Sequence, residues 1–202
     1  MALTPSTMQS LGSIAPDFEI IDVVSGDPVS LDEFGDDVHG YLIMFICNHC
    51  PYVKHVADQL TALGKEYMDK GIAVFAINSN DTESHPDDSP EHMKAEAEAR
   101  GYTFPYLFDS DQSVAKAYTA ACTPDFFLYD QNRKLVYRGQ LDDTRPTRIE
   151  SGVYSHDSQP TGTDLRNALE AVLNNQPVSA EQKPSMGCNI KWKTGNEPAY
   201  FG

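Results

Sequence analysis

The sequence predicts an α/β protein with a mixed central β-sheet and helices on both faces. Three observations carry this. Two uninterrupted apolar runs, residues 41–46 (YLIMFI) and 72–77 (IAVFAI), read as strands covered on both faces. A segment of helical periodicity lies between them, which makes a βαβ unit with parallel strands and a right-handed crossover. Further on, residues 125–129 (DFFLY) and 135–138 (LVYR) flank Asp130-Gln131-Asn132-Arg133, a hairpin signal that adds antiparallel strands.

The elements follow in order. Residues 14–31 read as a short strand, a Ser-Gly-Asp-Pro turn and a second short extended piece. After the first apolar run comes Cys47-Asn48-His49-Cys50-Pro51, and a helix is predicted from there to about Lys70. Val53, Val56, Ala57, Leu60, Leu63 and Tyr67 share its apolar face, and Gly71 stops it. Residues 78–89 (NSNDTESHPDDS) form a polar loop. Ser89-Pro90 then opens a helix by an N-cap and a first-turn proline, running to Arg100 before Gly101. Residues 104–108 are extended and 114–118 helical. Residues 142–163 are a long polar connection, with Thr163 as cap of a last helix that carries Leu165, Ala168, Leu169, Val172 and Leu173 on one face. Residues 176–202 form a tail with the sole Trp, expected to pack on the domain.

The chain has 202 residues, which suits one domain with an extension. Lys and Arg number 15 and Asp and Glu 30, a formal charge of −15. Nucleic-acid binding requires a basic footprint and is excluded on this balance, and anionic membranes are disfavoured. No apolar run reaches the length of a transmembrane helix. The start, MALTPSTMQSLGSIAPDF, lacks a basic n-region and an apolar h-region, so a cytoplasmic location is expected. Four cysteines are too few for a disulfide scaffold and point instead to catalysis or metal binding.

Cys47-x-x-Cys50, placed between a buried strand and a helix, is the strongest chemical signal. The N–H groups and dipole of a helix N-terminus favour a thiolate, which is the nucleophile of thiol–disulfide exchange. The two-residue spacing lets the second sulfur resolve a mixed disulfide. A cationic His49 would add to the stabilisation. A zinc site would need a second ligand pair, and Cys122 and Cys188 are far apart in sequence, so no metal is expected.

Four pieces resemble the thioredoxin-like redoxins, the group that joins peroxiredoxin-like (AhpC/TSA-type) and thioredoxin-type proteins. They are Ala15-Pro16-Asp17-Phe18, the Cys47–Cys50 segment, Thr123-Pro124 and Tyr137-Arg138-Gly139. CNHCPYVKH, CTPDFFLYD and GCNIKWK narrow this to a bacterial subgroup known as thioredoxin family proteins. The resemblance implies a thioredoxin-like fold over residues 11–175, with an N-terminal extension and the tail 176–202. It also implies that Pro124 is cis and lies against the cysteine pair, and that the neighbouring backbone pairs with an extended substrate or shapes the thiol pocket.

Read as a thioredoxin, the chain is a thiol–disulfide oxidoreductase with Cys47 as exposed nucleophile and Cys50 resolving. Asn48, His49, Pro51, Thr123 and Pro124 support the site. Ile46 stands where that family has Trp, and the strand 41–46 carries no buried acid. Read as a peroxiredoxin, Cys50-Pro51 is the peroxidatic Cys-Pro. Cys47 then replaces the Thr three residues earlier, and Ile43 replaces the opening Pro. A third reading is a Sco-like copper-binding chaperone. Its cysteine spacing is one residue longer, and its downstream His is matched only loosely by His156.

Cys122 and Cys188 are candidate additional redox thiols, against the alternative of small buried apolar cysteines. Arg138 is a candidate cation near the sulfur or a solvated strand-end charge. His55 reads as part of a solvated helix face, His85, His92 and His156 as isolated, and the acids of 78–89 as solvated charge. No dinucleotide fingerprint is present, so no cofactor is expected. The implied partners are protein or small-molecule disulfides, peroxides in the second reading, and an external reductase.

Overall fold

A computed structural model of the chain describes residues 3–33 and 38–201. The first strands are β1 (Leu3–Pro5), β2 (Glu19–Ile21), β3 (Pro28–Ser30) and β4 (Gly40–Phe45), followed by helix α1 (Pro51–Met68) and β5 (Ile72–Asn78). Helix α2 (Pro90–Arg100), β6 (Tyr106–Phe108), α3 (Ser113–Ala117), β7 (Cys122–Thr123), β8 (Asp125–Asp130) and β9 (Leu135–Gly139) come next. The chain ends with β10 (Thr147–Glu150), β11 (Val153–Ser155), α4 (Thr163–Leu173) and β12 (Met186–Asn189).

The central sheet has the order β6-β5-β4-β8-β9. β4 pairs in parallel with β5 and antiparallel with β8, so the sheet is mixed. Side chains alternate across it with period two. Leu42, Met44, Val74 and Ala76 face α1 and α4, where they meet Val56, Leu60, Leu63, Leu165 and Leu169. Tyr41, Ile43, Phe45 and Phe75 face the other way, against Phe18, Val114 and Tyr118. Both faces of β4 and β5 are buried, which is why these strands read as unbroken apolar runs. No helix among the described residues is long and apolar enough to cross a membrane.

Three local readings change. The connection 142–163 contains the hairpin β10–β11, which its polar composition hid. Thr163 is the first residue of α4 rather than its cap; Gly162 takes that place at φ +72°. The first N–H groups of α4 go to Thr161 Oγ1, from Thr163, and to Leu141 O, from Asp164 and Leu165, while the buried Asp142 carboxylate holds the turn that leads into the helix. Its Oδ2 accepts Thr161 N–H at 2.6 Å and Gly162 N–H at 2.7 Å, while Oδ1 accepts Thr144 N–H at 2.8 Å. Third, the tail forms a strand. β12 sits between β1 and β7 in a second, antiparallel sheet. Ile190 and Trp192 beyond it enter the same cluster as Phe45 and Tyr118.

Candidate active site

β4 ends at Phe45, and the chain turns through Cys47–Cys50 into α1, whose first residue is Pro51. Proline suits this first position because its missing N–H would have no partner in the helix. The Thr123–Pro124 peptide is cis and lies against both sulfurs. Cys47 Sγ is 3.3 Å from Thr123 Oγ1, and Cys50 Sγ lies 3.2 Å from Thr123 O. The pair expected from the motif is thus brought together with Thr123 and Pro124.

Cys47 is not an exposed nucleophile, as the thioredoxin reading had it: it is 1% exposed and Cys50 0%. Two distant segments cover them. One is β12, beside β7. The other is the loop 78–89, whose acids were expected in solvent. Asp88 is fully buried there, and it binds the two residues between the cysteines. Its Oδ1 accepts Asn48 N–H at 2.8 Å and His49 N–H at 3.3 Å. Its Oδ2 meets His49 Nδ1 at 2.5 Å and accepts Asn80 Nδ2 at 2.8 Å. Burial pushes the Asp88 carboxyl up, but His49, Asn80 and the Asn48 N–H outweigh it and hold the group below its usual range. Asn48 is tied further, donating to Asp87 O at 3.0 Å and accepting the Tyr106 hydroxyl at 3.0 Å.

Cys50 Sγ is the hub of the thiols. Burial raises its pKa, but the Cys188 and Cys47 thiols and the N–H groups of Val53 and Cys188 donate to it, and together they hold it well below the ordinary cysteine value. Cys47 is pushed well up, by burial first and then by its bond to Cys50 and the charges of Cys50 and Asp88. The donors to Cys50, together with the helix N-terminus, favour the ionised form at Cys50 over Cys47.

The candidate thiols separate. Cys188 is in hydrogen-bond contact with Cys50. Cys122 is adjacent to Thr123 on one strand, so it faces the opposite way; its thiol donates to Pro124 O at 3.6 Å, and burial pushes it well up. It fits a small buried apolar residue. Arg138 is held by Gln9 O at 2.7 Å and Gln182 Oε1 at 2.7 Å and is not a partner of the sulfurs.

The histidines also depart from expectation. His85 lies against His49 with ring centroids 4.7 Å apart and planes tilted by 35°, and burial followed by the His49 charge lowers its pKa. His55 is buried rather than on a solvated face. Its Nε2 lies 3.1 Å from Thr144 Oγ1, and its ring stacks on His156 at 5.5 Å. Helical spacing showed which residues share a face with His55 but not that the connection 142–163 folds over it.

Cys47, His49 and Asp88 bring thiol, imidazole and carboxylate atoms within 4.8 Å of one another. These are metal-ligand types in a grouping that sequence spacing hides. The Asp88 oxygens, however, are already spent on the two backbone N–H groups, Asn80 and His49. The cluster accordingly reads as a carboxylate that orients an imidazole.

The family model described as AhpC/TSA family matches residues 11–138. An uncharacterized conserved protein from Geobacillus kaustophilus is 51% identical over 96% of this chain and 97% of its own, with TM-score 0.88. The thioredoxin domain of thiol-disulfide oxidoreductase BVU-2223 from Bacteroides vulgatus shares the fold at TM-score 0.54 and 22% identity, over 67% of this chain and 89% of that one. Thiol-disulfide oxidoreductase ResA from Geobacillus thermodenitrificans (strain NG80-2) is 26% identical over 65% of this chain and 70% of its own length. A mixed sheet with helices on both faces, a cis proline against a Cys-x-x-Cys helix start, and a family match over more than half its length place this chain in the AhpC/TSA family, as a thioredoxin-like redoxin.

Proposed function

We propose that the protein is an oxidoreductase that exchanges thiols and disulfides through the couple Cys47–Cys50. The observation that carries this is the hydrogen-bonded pair of thiols at the N-terminus of α1, against the cis Thr123–Pro124 peptide. The ResA and BVU-2223 names support the same chemistry.

The proton bookkeeping is simple. Cys47 donates to a Cys50 thiolate, so moving one proton between the sulfurs makes Cys47 the thiolate without changing net charge. Cys47 then attacks a substrate disulfide, forming a mixed disulfide and releasing one sulfur as thiolate. That thiolate takes the proton from Cys50. Cys50 attacks Cys47 Sγ, the Cys47–Cys50 bond forms, and the second substrate sulfur leaves. Asn48 and His49 hold the turn through Asp88, and Pro51 starts the helix that favours the charge. An external thiol reductant returns the protein to the dithiol.

A second reading rests on a specific observation: Cys50, the cysteine followed by Pro51 at the start of α1, is the sulfur that receives the N–H groups of Val53 and Cys188. In that reading Cys50 attacks a peroxide, water leaves, and Cys47 condenses with the sulfenic acid to a disulfide. One experiment separates them. Cys47→Ser and Cys50→Ser variants are mixed with a disulfide-bonded protein substrate and, separately, with hydrogen peroxide. Under disulfide exchange, Cys50→Ser stays trapped as a mixed disulfide through Cys47, and Cys47→Ser loses turnover. Peroxide consumption that survives in Cys47→Ser and vanishes in Cys50→Ser, with no trapped complex, moves the function to the peroxidase.

A further inference from the structure

β12 runs along β7, the strand whose Thr123 touches both sulfurs. Its register with β7 sets Cys188 opposite Thr123 and Asn189 opposite Cys122. Thr123 is the residue before the cis proline, and its carbonyl lies 3.2 Å from Cys50 Sγ. This approach requires glycine at position 187. A Cβ there would lie 2.0 Å from Thr123 O and 2.7 Å from Thr123 C, both backbone atoms with nowhere to go. With Gly187 in place, Cys188 is 2% exposed and hydrogen-bonded to Cys50 through both its thiol and its N–H. A disulfide-bearing segment that docks by strand addition would meet the pair in this manner, backbone on β7 and sulfur on Cys50. Here the chain fills that place itself.

We propose that Cys188 is a third thiol of the redox site, and that it takes over the disulfide from Cys47–Cys50 as a built-in substrate. The proposal rests on Cys47–Cys50 being the redox couple. In the step, the Cys188 thiolate attacks Cys50 Sγ. The Cys50–Cys188 bond forms as the Cys47–Cys50 bond breaks. Cys47 leaves as the thiolate and takes up the proton that Cys188 lost. No electrons enter or leave, and one disulfide and one thiol remain on each side. Cys50 is the sulfur attacked because it is the one Cys188 touches. Two consequences follow. Cys47 is restored as a thiol beside Thr123 while the protein stays oxidised. The tail is bonded covalently to the start of α1, so β12 cannot lift from β7 in that state.

The test maps disulfides in full-length protein. Wild type, Cys47→Ser and Cys188→Ser are reduced, oxidised with diamide, quenched in acid, alkylated, and digested for mass spectrometry. The chain has 4 cysteines, so Cys47→Ser starts with three thiols and is expected to fall to one, with Cys50 joined to Cys188 within the same molecule. Wild type is expected to contain both Cys47–Cys50 and Cys50–Cys188. The Cys50–Cys188 peptide in either protein supports the proposal, and its absence from both overturns it. Wild type keeps the result independent of whether a variant folds. Cys188→Ser addresses the underlying couple: if it forms Cys47–Cys50 while the Cys50–Cys188 link is absent elsewhere, the third-thiol assignment alone falls. If Cys188→Ser is folded and forms no Cys47–Cys50 bond, the couple itself is wrong.

Discussion

Two buried carboxylates of this protein titrate in opposite directions, and the difference lies in their partners. Asp88 accepts donors on both oxygens and is held below its usual range. It contributes stability above the unfolded pKa, which is lost as pH falls through the folded one. Asp125, fully buried at the start of β8, has an Oδ1 without a hydrogen-bond partner among the described residues, and burial pushes its pKa up to about 7. The sign reverses here. Below the unfolded value near 3.8 the acid is neutral in both states. As pH rises towards 7 only the unfolded chain ionises, so stability falls. The full cost, about 4 kcal/mol at roughly 1.4 kcal/mol per pKa unit, is reached above pH 7. Asp125→Asn has no such titration. The urea midpoint of the variant minus that of wild type is expected to increase between pH 4.5 and pH 8. A difference that stays flat would mean Asp125 ionises in the native state as it does unfolded.

At the level of elements, β12 and the 78–89 loop do what the strand and helix next to the cysteines do not. β4 and α1 bring Cys47 and Cys50 together, but cover for the sulfurs comes from segments remote in sequence. The two covers are also linked, since Lys191 N–H donates to Asn80 Oδ1 at 2.8 Å and Asp81 N–H to Lys191 O at 2.8 Å. Gly187→Ala tests how much depends on the close approach of β12 to Thr123. Overpacking of this kind costs about 1–3 kcal/mol, or the strand separates instead. The expected outcome is a lower urea midpoint together with faster alkylation of Cys188 and Cys50 in the native protein. An unchanged alkylation rate would mean that β12 keeps its place and Thr123 moves.

For the whole molecule, the formal charge of −15 sets a background that its ion pairs do not cancel. The pairs Arg100–Asp58, Arg133–Asp32 and Lys183–Asp143 each have a partner with a largely exposed side chain, where such contacts contribute little. Self-repulsion between like charges therefore dominates the salt response. Added sodium chloride is expected to raise the urea midpoint, most of the gain arriving by roughly 0.15 M, where the screening length has dropped to about 8 Å. A midpoint that falls with salt would show the surface pairs to outweigh the net repulsion.

What could be read from the sequence was local or strongly periodic. The apolar runs 41–46 and 72–77, the Ser89-Pro90 helix start, the hairpin about residues 130–133 and the Cys-x-x-Cys at a strand–helix junction each depend on residues a few positions apart, and the chain adopts them. The resemblance supplied the cis Thr123–Pro124 peptide, which no periodicity encodes. Other features waited for the tertiary structure. Asp88 lies 40 residues from Asn48, in a segment whose composition reads as solvent-facing, and it is a hydrogen-bond network that buries it. Cys188 is a cysteine in a tail without periodicity until β12 pairs with β7. His55 looks exposed from its helix position until the connection 142–163 folds over it. Local preference is decided by neighbours in the chain, whereas burial and the choice of thiol partner are decided by which distant backbone pairs with which. Sequence alone therefore determined the fold class and the two central cysteines, and only the tertiary structure decided what surrounds them.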